Sequence, residues 1–197
     1  MIHGELELAA PLRWGMVGGG RGTQIGYIPP SPALRAGPFR PGAGAFDIDP
    51  AAGRDFGQRL GVAPERCYES YRSMFEVETR RPDGLQAVSI ATPNGTAFEI
   101  CKAALEAGLH VVCEKPLCFT TAEALELQAL AQARRRVLGV TYGYAGHQLI
   151  EKARARIAAG ELGEIRIVQM QFAHGFHCAP AERDSAAARW RVDPKMA

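Results

Sequence analysis

Apolar residues recur along this chain in short runs of strand length, separated by stretches in which they return every three or four positions. The first run, Leu12-Arg-Trp-Gly-Met-Val, reads as a short buried strand and passes directly into Gly18-Gly-Gly20-Arg21-Gly22-Thr23. A helix is predicted from Arg21, with Ile25 and Ile28 on one face, and Pro29, Pro30 and Pro32 cut it short. Proline lacks the N–H a helix needs, and its ring clashes with the preceding turn. Residues 43–50 read as a second strand and the turn after it, the strand being weakened by Pro41-Gly42 just before it. Asp49 before Pro50 forms a sound N-cap with proline at N1, and the helix over 50–60 stops at Gly61.

The same alternation continues. A helical stretch over 70–80 leads to the near-continuous apolar run 85–92, which suits a parallel strand covered on both faces. After Pro93-Asn94 a helix carries Ala97, Ile100, Cys101, Ala104 and Leu105 on one face and ends at Gly108. His110 to Cys113 is the next strand, followed at once by Glu114-Lys115-Pro116. Thr120 and Glu123 make a capping box for a helix that runs to about Arg135, and residues 137–141 form a further strand. Strands alternating with helices at these spacings call for right-handed crossovers and a parallel sheet. The expected fold is a doubly wound α/β domain over residues 1–144, of which 1–11 are a loose lead-in.

From residue 145 the pattern changes. Leu149, Ala153 and Ile157 mark one stripe of a helix that ends at Gly160, and residues 164–172 read as a strand apolar on both faces. One helix and one strand do not bury a core of their own. Residues 145–197 are therefore expected to be the beginning of an incomplete α+β unit. Its strand lacks partners, and self-association through it is expected.

Composition narrows the function classes. A formal charge of +2 with mixed signs gives no case for nucleic acid as a partner. No run approaches the eighteen or so apolar residues that span a membrane, and the first residues lack the pattern of a signal peptide. Five cysteines at irregular spacing read as ordinary reduced thiols of a cytoplasmic protein, and no metal site is expected, even from Cys113, Cys118 and nearby His110.

The candidate chemistry lies at the ends of the expected strands. Gly18-x-Gly20-x-x-Thr23 is an imperfect form of the glycine fingerprint that holds a pyrophosphate between a strand and a helix N-terminus. Asp47, at the tip of the second strand, is placed to accept hydrogen bonds from an adenosine ribose. It lies 27 residues beyond Gly20, an excess over the usual spacing that the Pro/Gly loop explains. Its carboxylate would repel a 2′-phosphate, so NAD is expected over NADP.

Taken together, Gly18-Gly-Gly20, Ala91-Thr92-Pro93-Asn94, Glu114-Lys115-Pro116-Leu117, Thr141-Tyr142-Gly143-Tyr144 and Gly160-Glu-Leu-Gly163-Glu-Ile165 resemble the Gfo/Idh/MocA oxidoreductases. The resemblance covers residues 12–172 and implies a Rossmann domain followed by a domain that shapes the substrate site. It implies that Gly18, Gly20, Arg21, Gly22, Thr23, Asp47, Thr92, Pro93, Asn94, Glu114, Lys115 and Pro116 contact NAD, with NADP as the other possibility. It implies that Lys115 is catalytic beside the reacting hydroxyl of a small-molecule sugar, cyclitol or related polyhydroxy substrate, with Tyr142 and Tyr144 near that substrate. Three departures stand out: Thr23 at the third fingerprint position, the prolines at 29, 30 and 32 with Pro41-Gly42, and the absence of the family's Asp-x-x-x-His block, which His174 and His177 do not match. The expectation is a truncated dehydrogenase that by itself turns over little substrate, the alternative being a catalytically inactive dinucleotide-binding module.

Overall fold

A computed structural model of the chain describes residues 10–20 and 39–173. Five strands form one parallel sheet: β1 (Leu12–Gly18), β2 (Phe39–Ala45), β3 (Ala87–Ala91), β4 (His110–Cys113) and β5 (Leu138–Val140), in the order β2-β1-β3-β4-β5. The helices between them are α1 (Pro50–Arg59), α2 (Tyr71–Glu78), α3 (Asn94–Glu106) and α4 (Thr121–Arg134); α5 (Gln148–Ala158) follows the sheet. The order reverses at β1, which has β2 on one side and β3 on the other. That reversal leaves a crevice at the carboxyl ends of β1 and β3, the place where open α/β sheets bind ligands. The helix expected from Arg21 lies outside the described residues.

The alternation of side chains along the strands explains why both faces are covered. Trp14, Met16 and Ala87 point to one face, where Phe46, Phe56 of α1 and Val62 bury them. Val17, Val88, Ile90 and Val111 point to the other, into a larger cluster with Met74 and Phe75 of α2, Ile100 and Leu105 of α3 and Leu127 of α4. Inside, the Trp14 indole N–H donates to Ser89 Oγ at 2.8 Å, 75 residues away in sequence. At the amino ends of the strands, His110 Nδ1 accepts the Val137 N–H at 3.0 Å. Burial, and then the Arg136 guanidinium, hold His110 below the usual histidine range and so keep that nitrogen an acceptor.

The sequence places the second strand too late. Strand β2 begins at Phe39 and takes Pro41 and Gly42 inside it. The register shows how: Trp14 pairs with Pro41 and Gly15 with Ala43, so Gly42 is an extra residue in a bulge. A bulge tolerates proline because one ladder bond is already lost there. On the side of β2 away from β1 there is an isolated parallel bridge from Gly44 to Cys67, with the Tyr68 N–H donating to Gly44 O at 2.7 Å.

The strand expected over 164–172 is a second correction. These residues are irregular and exposed, and they join no sheet. A strand is stabilised by its ladder partners, and none is present here among the described residues to satisfy its backbone. Every described residue from Tyr142 to Ala173 is exposed, α5 included. Among the described residues no helix is long and apolar enough to cross a membrane. No group of three or more His, Cys, Asp or Glu among them is placed to hold a metal ion.

Helix boundaries follow the caps read from sequence. The Asp49 carboxylate accepts the Ala51 N–H at 2.9 Å, with Pro50 in the first turn. Thr120 Oγ1 accepts the Glu123 N–H at 3.2 Å, while the Glu123 carboxylate accepts the Thr120 N–H at 2.9 Å. Asp49→Ala and Thr120→Ala should each cost about 1 kcal/mol of stability, since an amide loses its acceptor. Urea unfolding checks this; an unchanged midpoint for either variant would mean that water replaces the cap without loss.

Candidate functional site

The glycine turn after β1 is wedged between the ends of β2 and β3. Gly18 and Gly19 have φ of +74° and +71°, a conformation side chains rarely adopt. A Cβ on Gly18 would lie 2.7 Å from Thr92 Cγ2 and 2.8 Å from Ala91 O. A Cβ on Gly20 would lie 2.6 Å from Asp47 Oδ2 and 2.7 Å from Phe46 O. Three segments far apart in sequence therefore meet at the crevice, and the absence of side chains on the turn is what lets them. Arg21, Gly22 and Thr23 lie outside the described residues.

Asp47 stands at the end of β2 with its two oxygens in different settings. Oδ1 accepts the Asp49 N–H at 3.0 Å, closing its own turn. Oδ2 lies on the side of the glycine turn. Next to it Ile48 is fully exposed, an apolar side chain projecting from a turn between two aspartates. Sequence reasoning missed Ile48; its signal was an isoleucine where a turn favours polar residues.

On the other side of the turn, β3 ends in Thr92-Pro93-Asn94. Thr92 Oγ1 is buried and has no hydrogen-bond partner among the described residues. A buried hydroxyl without a partner is uncommon. Pro93 occupies the N-cap of α3 and offers it no side-chain bond, while its carbonyl accepts the Thr96 N–H at 3.0 Å. Asn94 is the first residue of α3.

Strand β4 continues into Glu114-Lys115-Pro116, with a cis peptide bond before Pro116. The Glu114 N–H donates to Ile90 O at 2.9 Å, so the β3–β4 ladder extends to this residue. Its carboxylate accepts the Thr141 hydroxyl at 2.5 Å on one oxygen and the Lys115 N–H at 3.3 Å on the other. The Lys115 side chain is exposed. Beyond β5, Tyr142 and Tyr144 are 59% and 82% exposed, and the Tyr144 ring meets Phe172 edge-on at 5.8 Å. The cysteines near this edge are thiols: Cys101 and Cys113 are buried in contact with one another, which pushes the Cys101 thiol up, and burial raises Cys118.

The structure thus brings Gly18, Gly20, Asp47 and Thr92 into one cradle and sets Glu114 and Lys115 two strands along the same edge. A groove of about 500 Å³, lined by Leu117, Leu125, Arg136, Leu138 and Val140, lies beside the outer strand β5 and not in the β1–β3 crevice. The edge offers exposed backbone and one carboxylate at the glycine turn, with a lysine near the far end.

Comparison with known proteins agrees with this geometry. The model of the oxidoreductase family with an NAD-binding Rossmann fold matches residues 12–142. An uncharacterized oxidoreductase, YfiI of Bacillus subtilis (strain 168), is 55% identical over 200 residues, which cover 100% of this chain and 51% of that protein. The crystal structure of an inositol dehydrogenase homolog complexed with NAD+ from Azotobacter vinelandii superposes with a TM-score of 0.93 at 67% identity, covering 100% of this chain and 50% of that one. The homolog from the same organism complexed with NADH and myo-inositol gives 0.89 at 68% identity, covering 95% and 48%. The chain spans about half the length of these relatives.

Proposed function

We propose that this chain, which belongs to the Gfo/Idh/MocA oxidoreductase family, is the cofactor-binding part of an NAD-dependent dehydrogenase acting on a cyclitol, sugar or related polyhydroxy compound. The observation that carries the reading is the cradle at the sheet's reversal point. Two glycines there have no room for a Cβ, one carboxylate oxygen lies beside the turn, and a buried threonine hydroxyl lacks a partner among the described residues. The residues present fit a dinucleotide.

In this reading the turn Gly18–Gly20 takes the pyrophosphate, and Arg21, Gly22 and Thr23, outside the described residues, contact it as well. Asp47 accepts bonds from the ribose hydroxyls, and Ile48 offers its exposed face to the adenine. Thr92, Pro93 and Asn94 line the middle of the cofactor, with the Thr92 hydroxyl donating to it. Glu114, Lys115 and Pro116 border the nicotinamide end. NAD, when bound, would supply a hydride acceptor for the alcohol carbon. Lys115 would hold the alcohol oxygen by a hydrogen bond and stabilise the charge left on it as the hydroxyl proton passes to solvent water. Tyr142 and Tyr144 stand where they would contact the substrate. Residues 145 onward begin the unit that closes over it, which accords with their exposure. The structure of a homolog with NADH and myo-inositol supports a cyclitol as the first substrate to try.

Titration of both cofactors by calorimetry tests the site. NAD should bind at least about tenfold more tightly than NADP, a difference of about 1.4 kcal/mol, and Asp47→Ala should abolish the preference. Equal binding of the two by the unsubstituted protein would remove Asp47 from its role.

The second reading, a dinucleotide-binding module without turnover, is favoured by one observation: nothing among the described residues after Thr141 is buried, so no wall closes over Lys115. NAD binding with no reduction in the presence of polyols would establish it.

The exposed apolar side chains Ile165, Ile167, Val168, Met170 and Phe172 support self-association of this chain. Sedimentation should show a concentration-dependent dimer or larger species, reduced by Ile167→Asp. A monomer at all concentrations would count against it.

A further inference from the structure

The Glu114 carboxylate lies where three strand ends converge. Its own backbone extends β4, its N–H reaches Ile90 O of β3 at 2.9 Å, and its Oε1 takes the Thr141 hydroxyl from beyond β5 at 2.5 Å. The other oxygen takes the Lys115 N–H at 3.3 Å. The Lys115 backbone is thus tied to the carboxylate of the residue before it. The hydroxyl-to-carboxylate bond is charge-assisted and joins two half-buried residues. Without the hydroxyl, the carboxylate loses the contact that keeps it turned toward β5, and the backbone of Lys115 loses a fixed acceptor.

We propose that Thr141 is a positioning residue for the reaction: its hydroxyl orients the Glu114 carboxylate, and that carboxylate sets the backbone from which Lys115 reaches the substrate. The inference rests on the dehydrogenase reading of the site given above. The fold does not depend on the hydroxyl, because β5 is also tied here by the Thr141 N–H donating to Cys113 O at 3.0 Å, a bond that valine keeps. The ammonium group rides on a four-carbon stem, so a small backbone displacement moves it appreciably, and displacements of about 1 Å are worth about 10²-fold in rate.

The test uses Thr141→Val, Thr141→Ser and Lys115→Ala in the full-length protein. The measurements are turnover of myo-inositol with NAD, NAD affinity by calorimetry, thermal unfolding, and the backbone amide resonance of Lys115. Thr141→Val should lower kcat by about 10- to 100-fold, leave NAD affinity and the melting temperature unchanged, and shift the Lys115 amide. Thr141→Ser should restore both kcat and the resonance. Two results would overturn the proposal: unchanged kcat in Thr141→Val where Lys115→Ala is impaired, or a loss that serine does not rescue and that tracks a lower melting temperature. If the unsubstituted protein fails to turn over polyols, or Lys115→Ala turns them over fully, the dehydrogenase reading itself fails. The positioning contact is then judged by the Lys115 amide alone: a shift in valine reversed by serine keeps it, and no shift removes it.

Discussion

In the complete enzyme of which this chain is proposed to be the cofactor-binding part, Lys115→Ala should leave NAD binding within about twofold while lowering polyol oxidation by about 10²–10⁴-fold, the usual worth of a positioned acid–base group. At about 1.36 kcal/mol per tenfold, that loss corresponds to about 2.7–5.4 kcal/mol of the activation barrier. Binding and chemistry separate because they lie at different places along the edge. The cradle formed by Gly18, Gly20, Asp47 and Thr92 is at the ends of β1, β2 and β3, whereas Lys115 follows β4. Removing an exposed side chain creates no cavity, so the fold should be unaffected. Calorimetry with NAD, thermal unfolding and steady-state kinetics on the same preparation decide the matter. A matching loss of NAD affinity would make Lys115 a cofactor anchor, and unchanged turnover would remove it from the reaction.

Arg66→Ala should destabilise the fold by about 3–5 kcal/mol, the cost typical of leaving one member of a buried ion pair alone. Glu78, the last residue of α2, is fully buried, and the Arg66 side chain is only 12% exposed. Arg66 engages both oxygens of that carboxylate, Nε donating to Oε1 at 3.0 Å and Nη2 to Oε2. Tyr68 adds a bond from its hydroxyl to Oε1 at 2.8 Å, and Arg66 also meets Asp83 at 3.1 Å. Burial, and then the bond to Glu78, push the Tyr68 hydroxyl up to about 12, so it remains a donor throughout the working range of pH. Without the guanidinium, Glu78 would keep a single donor among these partners for a charge removed from water. Replacing both partners with apolar residues, as in Arg66→Met with Glu78→Met, should recover most of the loss, because no charge is then stranded. Urea unfolding of the single and double variants tests this. A single-variant loss under 1 kcal/mol would mean that water reaches Glu78 freely.

The consequence of that cluster extends to the site. It ties the short helix before Cys67 to the end of α2 and the loop leading into β3. Tyr68 in turn bonds the backbone of β2 at Gly44. The strand that carries Asp47 is therefore braced from outside by a single bridge and a buried charge, which makes the Asp47 end of the cradle the part most sensitive to Arg66.

The sequence by itself determined a great deal here, because the signals it used are local. Alternation of apolar runs with helical spacing, the capping box at Thr120 and Glu123, Pro50 after Asp49, and Gly61 and Gly108 after helices all act within a few residues, and each stands in the structure where the pattern puts it. The motifs Gly18-x-Gly20, Thr92-Pro93-Asn94 and Glu114-Lys115-Pro116 were legible for the same reason, and the alternation alone placed them at strand ends. Only the tertiary structure decided what depends on neighbours distant in sequence. Pro41 and Gly42 sit inside β2 because the pairing with β1 absorbs Gly42 as a bulge, and no local rule states that register. The run 164–172 has strand composition but no ladder partner among the described residues, so its local preference is not realised. The contact from Thr141 to Glu114 and the buried pair of Arg66 and Glu78 join residues that carry no mark of one another in the chain. Such contacts arise when the sheet sets separate strand ends side by side, and that placement is a property of the whole fold.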